Sequence, residues 1–156
     1  MDLKGSNLTK GKDCFKLFNR GVVETLEIIK REQLYTPSPQ KEENIILAYD
    51  QYYSKVQSDL GHYFKTLFRL VRFIDEAQHF SGSEDNVMEQ KKFYTGILRA
   101  QLSTYEEILM AYNAVGQYGK KFRLLIQKYD LLKNCDYSKV ENGDLIKLKI
   151  NSDRHL

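Results

Sequence analysis

Between Ile45 and Ile74 apolar side chains recur every three or four residues, through Ala48, Tyr52, Val56, Leu60, Phe64, Leu67 and Val71. That spacing gathers them on one face of an α-helix, whereas a strand would need strict alternation. The pattern predicts a helix from about Pro39 to Gln78, roughly 58 Å long at 1.5 Å per residue, with a kink at Gly61. The run Thr36-Pro37-Ser38-Pro39 must end any helix before it, because proline lacks an N–H and disfavours the helical region for its predecessor. The same run can start the next helix: Ser38 as cap, Pro39 at the first position, and Glu42 and Glu43 at the positive end of the dipole.

A second stretch repeats the period through Met88, Phe93, Ile97, Leu98, Leu102, Tyr105, Leu109 and Tyr112, ending near Gly116. It follows a turn at Phe80-Ser81-Gly82-Ser83-Glu84-Asp85-Asn86, rich in candidate N-caps. Two long helices joined so closely predict an antiparallel hairpin as scaffold. A flanking N-terminal helix carries Phe15, Phe18, Val22, Leu26 and Ile29 and runs to about Gln33, with Gly21 weakening its middle. A C-terminal flanking helix spans roughly Lys120 to Lys133. After Asn134 the period changes, and Asn142-Gly143 followed by the alternation Leu145 to Ile150 is compatible with a small β-hairpin or with a tail.

The expected architecture is therefore all-α, a single domain over residues 1–156. Residues 1–11 form a loose lead-in, 12–134 the helical core, and 135–156 the tail or hairpin. A chain of 156 residues with 42% hydrophobic content suffices for one core. The balance of 24 basic against 21 acidic residues, net +3, is too slight to demand nucleic acid. Cys14 and Cys135 lie far apart without metal-ligand spacing, so two reduced, partly buried thiols are expected, and no metal site. No run is long and apolar enough to span a bilayer, and the first ten residues lack the apolar core of a signal peptide, which predicts a cytoplasmic chain. No phosphate-binding glycine loop, nucleophile elbow, zinc-binding His/Glu pair or dinucleotide fingerprint occurs, so no cofactor is expected and the usual nucleotide-hydrolysing machinery is absent.

Three segments, GHYFKTLFRLVRFID (Gly61 to Asp75), LRAQLSTYEEILMAYN (Leu98 to Asn113) and GKKFRLLIQKYDLLKN (Gly119 to Asn134), resemble in order and spacing the phage abortive infection family, the AbiC-like proteins of bacteria. The resemblance implies an antiviral protein that answers infection with growth arrest or death of the host cell, and it brings no catalytic mechanism. Some relatives carry N-terminal membrane-spanning segments that this sequence does not show, so a soluble member and a chain lacking its anchor remain alternatives.

Candidate site residues lie on the polar stripes of the two long helices. His62, Arg69, Arg72 and His79 follow one another at separations of seven, three and seven. The spacing of Arg72 and His79 resembles the Arg, short spacer, His motif of helical HEPN-type ribonucleases. There the His serves as general acid and base and the Arg stabilises phosphate charge. Against this, Phe73 stands where a polar residue usually follows that Arg, and a His near a helix C-terminus interacts well with the dipole without any chemistry. On the second helix Arg99, Ser103, Glu106 and Asn113 form another line. Meeting the first line across the hairpin, it would make a polar network that fixes register, or a pocket with Arg69 and Arg99 binding anions and Glu106 as acid, base or metal candidate. The aromatics Tyr52, Tyr53, Tyr63, Phe64, Phe68, Phe73, Tyr94, Tyr105 and Tyr112, at helical spacing, read as core rather than as base-stacking platforms. Lys120, Lys121 and Arg123 form a basic cluster that suits phosphate, an acidic partner or plain solvation. Three functions stay open: a helical sensing or partner-binding domain engaging a phage or host protein, a metal-independent RNA-cleaving toxin, and an oligomerisation module that dimerises.

Overall fold

The computed structural model describes residues 11, 13–34 and 43–152. The lead-in before Gly11 and the Ser38-Pro39 helix start fall outside them. Seven α-helices follow in order: α1 (Asp13–Glu32), α2 (Asn44–Lys55), α3 (Leu60–Glu76), α4 (Glu84–Ala100), α5 (Thr104–Val115), α6 (Lys120–Lys128) and α7 (Gly143–Asn151), with a 3₁₀ turn at Tyr137–Lys139 before α7. The described residues contain no strand, and the all-α class stands.

One short helix, α5, sits at the centre. Every residue of α5 from Glu106 to Ala114 is buried, and the helix packs against α1, α2, α6 and α7. A helix buried all round must be apolar all round, and ILMAY at Ile108 to Tyr112 meets that demand. Its neighbours each offer one stripe: Val22, Leu26 and Ile29 from α1, Ile45, Ala48, Tyr49 and Tyr53 from α2, Leu60, Phe64, Leu67 and Val71 from α3, and Phe122, Leu125 and Ile126 from α6. The most extensive pairing joins α1 to α2. Gly21 permits it: a Cβ there would lie 2.2 Å from the Tyr52 ring. The glycine that weakens the helix in isolation thus lets it approach its neighbour.

Each of the two long helices expected from the periodicity is divided. The first breaks at residues 56–59, where the Val56 N–H turns to the Tyr53 carbonyl, three residues back, instead of continuing the helical ladder. Ser58 and Asp59, which compete with the backbone for hydrogen bonds, occupy that break. The period hides it, because Tyr53 and Leu60 are seven residues apart, two full turns, and both face the core. The second breaks at Gln101 and Leu102, whose N–H groups bond to Leu98 and Arg99, and Ser103 starts a new helix. The Phe80 to Asn86 turn is where the sequence places it, with Ser83 capping α4 through the Asn86 N–H.

The small C-terminal β-hairpin is not formed. Asn142 adopts the left-handed conformation that an Asn-Gly turn favours, at φ 52°, but the chain leaves it as α7. Gly143, Ile146 and Ile150, spaced three and four apart, are buried, whereas Leu148 is exposed. The alternation Leu145 to Ile150 fits either period, and packing on α5 and α6 selects the helical one. No tail begins at Cys135; α7 contributes to the same core.

Candidate functional site

A cleft of about 430 Å³ opens where the end of α2, the first half of α3 and the α5–α6 connection meet. Tyr53, Phe64, Phe68, Tyr118 and Phe122 wall it. The rings of Tyr53 and Tyr118 lie 4.8 Å apart, and Phe68 meets Phe122 edge to face at 5.9 Å. Lys65 from α3 and Lys120 and Lys121 from the first turn of α6 line it as well, with Gln57, Asn113 and Gln117 supplying the polar atoms. Among the described residues none of the three lysines forms an ion pair or side-chain hydrogen bond. The Asp50 carboxylate feels the charge of Lys120. Burial raises its carboxyl pKa, opposed by the Gln117 N–H and the charge of Lys120.

Local sequence explains how α6 presents these groups. Gly116 ends α5, and Gly119 begins α6 without a side-chain cap. A Cβ on Gly119 would lie 1.9 Å from the Asn113 carbonyl oxygen, so only glycine lets α6 start against α5. The leading N–H groups of α6, at the positive end of its dipole, therefore adjoin the lysines. Asn113, 2% exposed, donates its Nδ2 to the Tyr49 hydroxyl at 2.9 Å.

The polar line expected on the second helix is distributed over separate tasks. Ser103 and Glu106 form a capping box: the Glu106 carboxylate accepts from the Ser103 N–H at 2.7 Å and hydroxyl at 2.6 Å. Its other oxygen accepts from Tyr63 of α3 at 3.0 Å. Burial, then the Glu106 charge and hydrogen bond, raise the Tyr63 hydroxyl pKa far above the usual range. Arg99 donates to the Asp130 carbonyl at 3.2 Å. The neighbouring buried Glu107 has its pKa raised by desolvation, against the opposing charge of Arg99. Burial, then Glu107 and Asp136, push the Cys135 thiol up to about 12. Both cysteines are partly buried and outside any disulfide, as their spacing implies.

The residues singled out on the first helix face outward. Arg72 pairs with Glu76 at 2.7 Å on an exposed surface, and His79, beyond the end of α3, rests on the Phe80 ring at 4.2 Å. No bond joins Arg72 to His79 among the described residues. His62 and Arg69 are exposed, and among the described residues no hydrogen bond or ion pair joins either to Arg99, Ser103, Glu106 or Asn113. Of the aromatics, Tyr53, Phe64 and Tyr112 are buried and Tyr52, Tyr63, Phe68 and Tyr105 partly so, but Phe73 and Tyr94 are exposed. Asp75, which sequence reasoning passed over, ties α3 to α6: it accepts from Lys128 at 2.6 Å and Tyr129 at 2.5 Å, and its carbonyl from Lys91. Burial works to raise its pKa, but those two bonds and the charges of Lys128 and Lys91 leave it lowered. Its partners lie too far along the chain for any local pattern to reveal them.

The fold and cleft define an all-α domain with an aromatic, lysine-lined recess and no described cluster of His, Cys, Asp and Glu able to hold a metal ion. The family described as "Putative phage abortive infection protein" has a model that matches residues 55–140, more than half of the chain. The protein belongs to that family. The match runs from the end of α2 past the 3₁₀ turn, so it contains every cleft residue except Tyr53. No curated protein and no solved structure matches the chain. No described helix is long and apolar enough to cross a membrane.

Proposed function

We propose that the chain serves phage abortive infection as a recognition domain, binding a component of the infected cell in the cleft between α2, α3 and α6. One observation carries the reading: three lysines without ion-pair partners converge on an aromatic recess. The residues that a catalytic scheme would draw on are otherwise engaged. Glu106 is bound by Ser103 and Tyr63, Arg72 by Glu76, and His79 lies against Phe80. Binding sites of this kind join a mostly apolar lining to a few placed polar groups.

Expression in a susceptible host tests the proposal. Protection in a plaquing assay is expected from the wild-type chain and, at equal soluble level, from the Arg72→Ala/His79→Ala variant, with cellular RNA left intact. Loss of protection in that variant, together with RNA decay caused by the wild type, would replace the recognition reading with a ribonuclease.

A further inference from the structure

We propose that the cleft takes a nucleoside phosphate, its base among the aromatic side chains and its phosphates on Lys65, Lys120 and Lys121. The inference rests on the recognition reading above and names the ligand class for that same site. At about 430 Å³ the recess falls within the roughly 300–1,000 Å³ of small-molecule sites. Phe68 and Tyr118 offer accessible ring surface to a base, backed by the buried Tyr53 and Phe122, and stacking on such side chains is tolerant of base identity.

Charge selects the other end of the ligand. Three lysines from two helices meet the polyanion, and the uncapped start of α6 adds backbone N–H groups and the positive end of its dipole. This differs from a glycine-rich phosphate loop, which the sequence lacks, because the cations are side chains from two elements.

Asn113 separates a nucleoside from other aromatic anions. The side chain is almost fully buried and lines the recess, its Nδ2 is committed to Tyr49, and its Oδ1 takes no donor from the described residues. That oxygen, on the recess wall, is an acceptor open to a donor presented by a ligand. Every common base carries an N–H for it, whereas the ring of a phosphotyrosine carries none.

Isothermal titration of the full chain with ATP, GTP, CTP and UTP tests the assignment, with inorganic tripolyphosphate, the matching nucleosides and O-phosphotyrosine as controls. At least one nucleotide should bind at least tenfold more tightly than tripolyphosphate, its nucleoside and phosphotyrosine. Lys120→Glu/Lys121→Glu should weaken it at least tenfold, and Tyr118→Ala, at an exposed ring, by about 5-fold or more. Circular dichroism should show both variants folded. No binding of any nucleotide at millimolar concentration, tripolyphosphate or phosphotyrosine binding as tightly, or unchanged affinity in the lysine variant would each overturn the proposal. A short oligonucleotide run in parallel distinguishes sources: tighter binding than the free nucleotide places the base at a strand end within the same site. Plaquing with the lysine variant keeps the two readings separate. Protection lost in the variant beside no nucleotide binding by the wild-type chain would overturn the nucleotide alone, while protection retained in a variant that has lost the wild type's nucleotide binding would overturn the recognition reading and leave the ligand assignment standing.

Discussion

Replacing Glu106 should cost stability and leave any chemistry untouched. The carboxylate accepts three hydrogen bonds, two from Ser103 and one from Tyr63, and is 6% exposed. In Glu106→Ala the capping box is lost, about 1 kcal/mol, and the partly buried Tyr63 hydroxyl loses its acceptor, about 1 to 3 kcal/mol. The sum, about 2 to 4 kcal/mol, corresponds to a fall in Tm of about 5 to 15 °C for a chain of this size. Glu106→Gln keeps one carbonyl oxygen and remains a capping-box residue, so it should lose only about 1 kcal/mol. Tyr63→Phe removes the orphaned hydroxyl, so Glu106→Ala/Tyr63→Phe should fall short of the summed single losses by about 0.5 to 3 kcal/mol. Thermal and urea unfolding of the four variants gives these numbers. Glu106→Gln with unchanged Tm and abolished phage protection would refute the structural role and make Glu106 a working acid or base.

Three further outcomes follow from the packing and the titrating groups. Gly21→Ala drives a methyl into the Tyr52 ring and should destabilise the chain by about 1 to 3 kcal/mol in urea unfolding, despite alanine's better helix propensity; a stabilised variant would contradict the close approach of α1 and α2. The lowered pKa of Asp75 gives stability that is fully present above the unfolded value, near 3.9, and is lost as pH falls through the folded value. Asp75→Asn should accordingly differ most from wild type near neutral pH and converge with it at the acid end of a pH series of unfolding curves. Cys135, with its thiol pushed up to about 12, should react with a disulfide reagent at pH 8 at least roughly a hundredfold more slowly than an unperturbed thiol, and regain normal reactivity in urea.

Helix type was legible as far as α6, because 3- and 4-residue spacing leaves little choice wherever a stripe must be buried. Helix ends were less so. The break at residues 56–59 preserves the seven-residue spacing of Tyr53 and Leu60, so the apolar pattern is the same with or without it. The break before Ser103 did carry a signal, Ser103 followed by Glu106 three residues on, which a periodic reading absorbs into a polar stripe. Asn142-Gly143 encoded a left-handed turn correctly, but only contact with α5 and α6 decides that a helix leaves it. In the cleft, Lys120, Lys121 and Asn113 stood out as polar residues on helices, while Lys65, Gln57 and Tyr118 did not. Their convergence depends on how α3 turns from α2 and on the Gly119 contact with Asn113, neither of which is a local property of sequence.

Plaquing efficiency on a host expressing Lys120→Glu/Lys121→Glu beside Arg72→Ala/His79→Ala, each at the wild-type soluble level, tests the central claim most directly. The account predicts protection lost with the cleft lysines reversed and kept without the Arg72 and His79 side chains. Protection kept in the first and lost in the second would contradict it and move the working site to the exposed end of α3.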